Sequence, residues 1–189
     1  MSIIQTIPED EATGVVAEIY AEETRATGYV PSHTRAMAMN PEAYRAWESL
    51  IRAIALPMGK RRYELVTLAA ARGTRSQHCR LAHGARTLPL IEEEQLTRIA
   101  LDHHDADLTP AEVAMMDFAE RVSRDSSEMT EADSLALREH GFSDREIVDI
   151  ALAAAARNYF SRAIQALAVD VDQPAGLSPA LHDALLRMG

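Results

Sequence analysis

The sequence predicts an all-α protein, and three observations carry that expectation. Alanine and leucine are abundant, while aromatic residues make up only 5% of the chain and β-branched residues are few, a bias towards helix over strand. Apolar residues recur at three- and four-residue intervals over long stretches, whereas period-two alternation is almost absent. Helix-start signals punctuate the chain: Asn or Thr before Pro, and Ser or Thr followed three residues later by an acid.

The elements follow in order. A first helix is expected over residues 8–27, with Val15, Val16, Ile19 and Tyr20 as its apolar stripe and Gly28 as its stop. Asn40-Pro41 supplies a cap and a first-turn proline for a helix carrying Trp47, Leu50, Ile51 and Ile54, closed by Pro57 and Gly59. The next begins near Lys60, carries Leu65, Val66, Leu68 and Ala69, and is interrupted by Gly73. Ser76 then reads as an N-cap or first-turn residue of a helix through Cys79, His83 and Arg86. Thr109-Pro110 opens another, with Val113, Met116 and Phe118 as core positions. Capping boxes at Thr130 to Asp133 and Ser143 to Glu146 open two more, the second being the longest, from Asp144 to about Val169. A tail, 171–189, ends in a short amphipathic helix over 179–187.

At 189 residues, the chain is expected to form a single domain over 1–189; no linker or low-complexity segment divides it. A formal net charge of −10 opposes nucleic-acid and anionic-lipid partners. No apolar run is long enough to span a bilayer, and the N-terminus shows no basic region followed by an apolar stretch. A single cysteine argues against a disulfide-stapled secreted domain. Together these features predict a soluble, cytoplasmic protein.

The chain also echoes itself weakly. Residues 64–71 match residues 146–153, and continuing without a gap sets Arg75 on Arg157, Ser76 on Asn158, Cys79 on Ser161, Arg80 on Arg162 and His83 on Gln165. Either the chain holds a degenerate duplication or two alanine-rich helices share a pattern. Under the first reading, the thiol motif 64–83 carries the chemistry and the degenerate copy 146–165 serves packing.

Cys79 is the focus of the functional reading. His78 precedes it and His83 lies one helical turn later, on the same face. Three features favour a reactive thiol: a first-turn position in a helix, His83 to take the thiol proton or stand by as imidazolium, and positive charge from Arg75 and Arg80. Glu64 can orient a histidine or relay a proton. The plainer alternatives are a buried cysteine as filler, His78 as a solvated ring, His83 as a core histidine, Glu64 paired with Arg61 or Arg72, and Ser76 as a cap only. No second Cys/His pair completes a zinc signature, and Asp102-His103-His104-Asp105 reads as a solvated loop, so neither metal nor cofactor is expected.

At these residues the sequence resembles the alkylhydroperoxidase D-like (AhpD-like), or carboxymuconolactone decarboxylase, superfamily, and within it the peroxidase-related branch. Members carry a glutamate upstream of Cys-x-x-Cys-x-x-x-His. Here that pattern becomes Glu64, then Ser76-Gln77-His78-Cys79-Arg80-Leu81-Ala82-His83. Gly28-Tyr29-Val30-Pro31, Asn40-Pro41-Glu42, Gly141-Phe142-Ser143-Asp144 and Asn158-Tyr159-Phe160-Ser161-Arg162 fit as well, so the similarity runs from about Gly28 to Asp170. The resemblance implies an AhpD-like helical bundle that assembles as a homo-oligomer. It makes Cys79 the nucleophile towards peroxide, His83 the base, and Glu64 and His78 a proton relay.

Ser76 is the departure, because it stands where members carry the resolving cysteine. A hydroxyl forms no disulfide, so what remains is a one-cysteine cycle. A small peroxide oxidises Cys79 to sulfenic acid and an external thiol reduces it, with Ser76 available to donate a hydrogen bond to the thiolate. Two alternatives stay open. One is a cofactor-free decarboxylase or isomerase of small carboxylates, using His83 or Glu64 as base and Arg72, Arg80 or Arg162 as anchor. The other is a non-catalytic, redox-sensing or ligand-binding oligomer.

Overall fold

Nine consecutive residues, Tyr63 to Ala71, are buried on every side, and the other helices are arranged around them. The computed structural model describes residues 4–187. The part of the N-terminal reading that rests on Met1 to Ile3, and the last two residues of the tail, lie outside the described residues. Ten α-helices occur among those described, with no strand: α1 (Gly14–Thr27), α2 (Ser32–Met37), α3 (Pro41–Met58), α4 (Lys60–Gly73), α5 (Gln77–Thr87), α6 (Glu93–Leu101), α7 (Pro110–Asp125), α8 (Glu131–Glu139), α9 (Asp144–Ala166) and α10 (Pro179–Leu186). The architecture is the expected all-α one.

The caps work as their sequence implies. Asn40 Oδ1 accepts from the Ala43 N–H at 3.0 Å. Thr109, Thr130 and Ser143 each close a reciprocal box with the acid three residues on. Ser76 Oγ accepts from the Cys79 N–H at 3.3 Å and fixes the start of α5. Each such cap contributes about 1 kcal/mol.

Helix α4 packs most extensively on α7, and also on α9, α5 and α3, while α10 lies across α5 and α6. Gly73 permits a close backbone approach: a Cβ there would meet the Glu120 carbonyl of α7 at 2.5 Å. The chain then turns sharply, with the Ser76 N–H donating to the Ala71 carbonyl and Arg75 in the left-handed region at φ 54°. For a non-glycine residue that conformation costs about 1–3 kcal/mol. The turn ends α4 and re-aims the chain, so that Cys79 falls in the first turn of a new helix rather than deep in an old one.

Several boundaries differ from the expectation. Pro8 starts a turn, with the Glu11 N–H donating to its carbonyl, and Gly14 at φ 55° separates that turn from α1, so the first helix begins at Gly14. Val15 and Leu50 face solvent and Val113 is half-buried. Helix α9 stops at Ala166. Ala168, at φ 48°, donates to Gln165 O, and Val169 donates to Ile164 O, a helix-ending turn made without the usual glycine. Helices α2 and α6 have no side-chain N-cap bond, which is why no start signal marked them.

Candidate functional site

Cys79 is 1% exposed, so the sulfur lies inside the protein rather than open at its surface. It is not set in hydrocarbon. Ser161 Oγ donates to Sγ at 3.2 Å, and Arg157 Nη1 donates to it at 3.6 Å. Both partners come from α9. Its buried stripe runs Ile150, Ala154, Arg157, Ser161, Ile164, so two polar residues occupy positions whose helical spacing aims them inward. The segment expected to serve packing alone therefore supplies the contacts of the sulfur. The sequence echo does not extend to backbone geometry, because α9 runs unbroken where the first segment breaks after Gly73.

Beside the sulfur, α4 and α5 bring Glu64 and His83 together, with Nδ1 and Oε2 2.6 Å apart and both side chains buried. Burial pushes His83 down to about 4, helped by the Arg157 cation and opposed by Glu64. Burial raises Glu64, but His83, Arg86 and Arg157 outweigh it and leave its carboxyl lowered. At neutral pH the pair is thus a neutral imidazole donating Nδ1–H to a carboxylate, with Nε2 left as a free base. The cation hydrogen-bonded to the sulfur is Arg157 rather than His83. Burial opposes that charge, yet the Cys79 sulfur and the Tyr63 hydroxyl outweigh it and raise the Arg157 pKa. Among the described residues no carboxylate lies within ion-pair range of this guanidinium, which is 3% exposed.

The histidine makes stability depend on pH. The unfolded chain protonates His83 near 6.5 and the folded one near 4, so the unfolded state binds more protons between those values. Its contribution is complete above about 6.5 and is lost as pH falls towards 4; Glu64, lowered in the fold, loses its own in the same direction. Denaturant titrations at about pH 7.5 and about pH 5 are expected to differ by roughly 1–2 kcal/mol. His83→Gln should shrink that difference; an equal drop in the variant assigns the effect elsewhere.

A cavity of about 50 Å³ covers the sulfur and is lined by Cys79, His83, Arg157, His33, His78, Trp47 and Phe160, with Glu23 and Arg86 also on its wall. Trp47 and Phe160 stack at 4.5 Å, and Arg157 lies 5.9 and 5.5 Å from their ring centres.

The remaining predicted residues go elsewhere. His78 Nε2 faces His33 Nδ1 at 2.7 Å instead of the sulfur. Burial lowers both rings below the usual imidazole range; for His78, Asp172 and the Asp170 backbone oppose the shift. Ser76 Oγ is engaged by the Cys79 N–H and makes no bond to Sγ. Arg75 is exposed, and Arg80 points away to the carbonyls of Ala100, Ala184 and Arg187, its pKa pushed down to about 10 chiefly by burial. Arg72 binds Leu101 O and Arg162 binds Asn158 and Ser123, so neither anchors a ligand in this cavity. Glu64 pairs with His83, while Arg61 goes to Glu112 and Arg72 approaches Glu120. His103 is buried against Asp117 rather than solvated.

Sequence reading missed Arg157, Ser161, His33, Trp47 and Asp172. For the first two a signal existed: an arginine and a serine one turn apart on the apolar stripe of an alanine-rich helix. For the others there was none, since they meet only through tertiary packing.

No protein-family model matches the chain, and no curated protein matches it in sequence. Solved structures do match. The alkylhydroperoxidase AhpD core, an uncharacterized peroxidase-related protein from Ralstonia eutropha JMP134, is 26% identical, with a TM-score of 0.78 over 100% of this chain and 98% of that one. An uncharacterized peroxidase-related protein from Silicibacter sp. TM1040 is 27% identical, with a TM-score of 0.75 over 89% and 88%. The debrominase Bmp8, in a cysteine-to-alanine form with 2,3,4-tribromopyrrole, is 14% identical and shares the fold at a TM-score of 0.78 over 98% of each chain. The resemblance read from the motif and the neighbours found by shape agree.

Proposed function

We propose that this chain, AhpD-like in fold, is a one-cysteine thiol peroxidase that reduces hydrogen peroxide at Cys79 and is recycled by a small external thiol. One observation carries the reading: the buried Arg157 guanidinium donates to the Cys79 sulfur and has no carboxylate in ion-pair range among the described residues. A buried cation without a counter-charge costs several kcal/mol. A sulfur anion removes that cost, and the Ser161 hydroxyl stabilises it further.

In the proposed cycle His83 Nε2 takes the thiol proton while Glu64 holds the ring in the right tautomer. The thiolate attacks one peroxide oxygen, the S–O bond forms as the O–O bond breaks, and the departing hydroxide leaves as water with the proton from His83. Cys79 becomes a sulfenic acid. A thiol converts it to a mixed disulfide with loss of water, and a second thiol restores Cys79 and leaves as a disulfide. Ser76 serves this cycle by capping α5, and His78 takes no part in the relay. Assembly into a homo-oligomer belongs to the same reading, supported by exposed Val148, Leu152 and Tyr159 along one face of α9.

The cavity volume favours hydrogen peroxide. At about 50 Å³ it lies far below the roughly 300 Å³ at which pockets for larger organic ligands begin, which also argues against debromination of a ring like that held by Bmp8. The test is steady-state consumption with excess small thiol, comparing hydrogen peroxide with cumene hydroperoxide. Turnover at least about tenfold faster on hydrogen peroxide is expected. Stoichiometric oxidation of Cys79 without turnover would make the protein a sensor instead, and equal rates on both peroxides would remove the size argument.

A further inference from the structure

Three side chains from separate segments converge, two of them on the wall of the cavity over the sulfur. His33 stands on α2, His78 in the first turn of α5, and Asp172 in the segment after α9. His33 Nδ1 and His78 Nε2 are 2.7 Å apart, and Asp172 Oδ2 lies 4.0 and 3.9 Å from them. A proton shared between the two facing nitrogens satisfies them but leaves His78 Nδ1 without a partner and the carboxylate beyond hydrogen-bond reach of either ring. Asp172 meets no arginine or lysine in ion-pair range among the described residues, although its side chain is only 19% exposed. Its partners are the backbone N–H and hydroxyl of Ser32, at 2.9 and 2.6 Å.

We infer that His33, His78 and Asp172 bind a divalent transition-metal cation of the zinc type. The point equidistant from the three donor atoms lies about 2 Å from each, the length of a zinc bond to imidazole or carboxylate. Two imidazoles and one carboxylate form the donor set of metal sites that keep a position open. The cation supplies the counter-charge that Asp172 lacks, and Ser32 holds the carboxylate in place as outer-sphere partners do. Both histidines line the cavity beside Cys79, so a small ligand completing the coordination enters from there. The sulfur itself is not among the clustered donor atoms. A second group, Asp102, His103 and His104, also clusters, but its ring nitrogens are engaged by Asp102 and Asp117.

Titration of chelator-treated protein with Zn²⁺ by calorimetry, and with Co²⁺ by visible absorption, tests the inference. One Zn²⁺ per chain is expected. Loss of a ligand in His33→Gln or Asp172→Asn should weaken binding at least about 100-fold, with folding checked by circular dichroism. The asparagine variant keeps the shape of the aspartate should the histidine variant fail to fold. Cys79→Ser and His104→Ala should bind as the parent does, which separates this inference from the peroxidase reading. No Zn²⁺ binding, binding that survives both ligand changes, or binding lost in His104→Ala overturns it.

Discussion

Cys79→Ser is expected to abolish thiol-dependent peroxide consumption, lowering the rate by at least about 1,000-fold. The substitution keeps the shape and a hydrogen-bonding group at the end of the side chain but removes the atom that is oxidised. A hydroxyl at this position has only the neutral His83 to activate it and forms no sulfenic acid. The same change should be felt in stability. If the sulfur carries the negative charge facing Arg157, serine leaves that cation without an anion, at a cost of about 1–3 kcal/mol. A cysteine that merely fills space predicts nearly unchanged stability. Peroxide consumption and denaturant midpoints, measured side by side, check both halves, and a serine variant with full turnover ends the mechanism.

Arg157→Met is expected to slow alkylation and peroxide oxidation of Cys79 at neutral pH by about 10- to 100-fold, corresponding to loss of roughly 1.4–2.7 kcal/mol of thiolate stabilisation. Methionine fills the space beside Trp47 and Phe160 without charge, so the fold should survive and can gain stability as a desolvated cation is removed. Arg157→Lys is expected to recover little of the rate. An ammonium ion lacks the planar guanidinium that reaches Sγ while lying beside two aromatic rings. Iodoacetamide kinetics followed by mass spectrometry check this, and an unchanged rate in the methionine variant would leave the guanidinium without a part in the chemistry.

Local signals carried most of the fold and half of the site. Asn40-Pro41, Thr109-Pro110 and Ser143 to Glu146 announce helix starts because a cap is written in adjacent residues. Glu64 and His83 were legible as site candidates because the resemblance singled out both, and the structure joins them at 2.6 Å. The end of α9 was not legible, since Ala168 takes a conformation its side chain disfavours and only the surrounding contacts impose it. Arg80 misled for a related reason. Its position beside Cys79 in sequence suggested charge at the sulfur, but neighbours one residue apart on a helix point in different directions. The charge comes instead from Arg157, 78 residues away along the chain.

Arg80, the residue after Cys79, has a consequence of its own. Its guanidinium holds carbonyls on both α6 and the last helix, so one peptide bond separates Cys79 from the rivet of the carboxyl-terminal segment. Clipping that segment removes two of the three carbonyls that hold the buried Arg80 guanidinium. The last helix is thereby tied through Arg80 to the first turn of α5, although none of its side chains lines the cavity over Cys79.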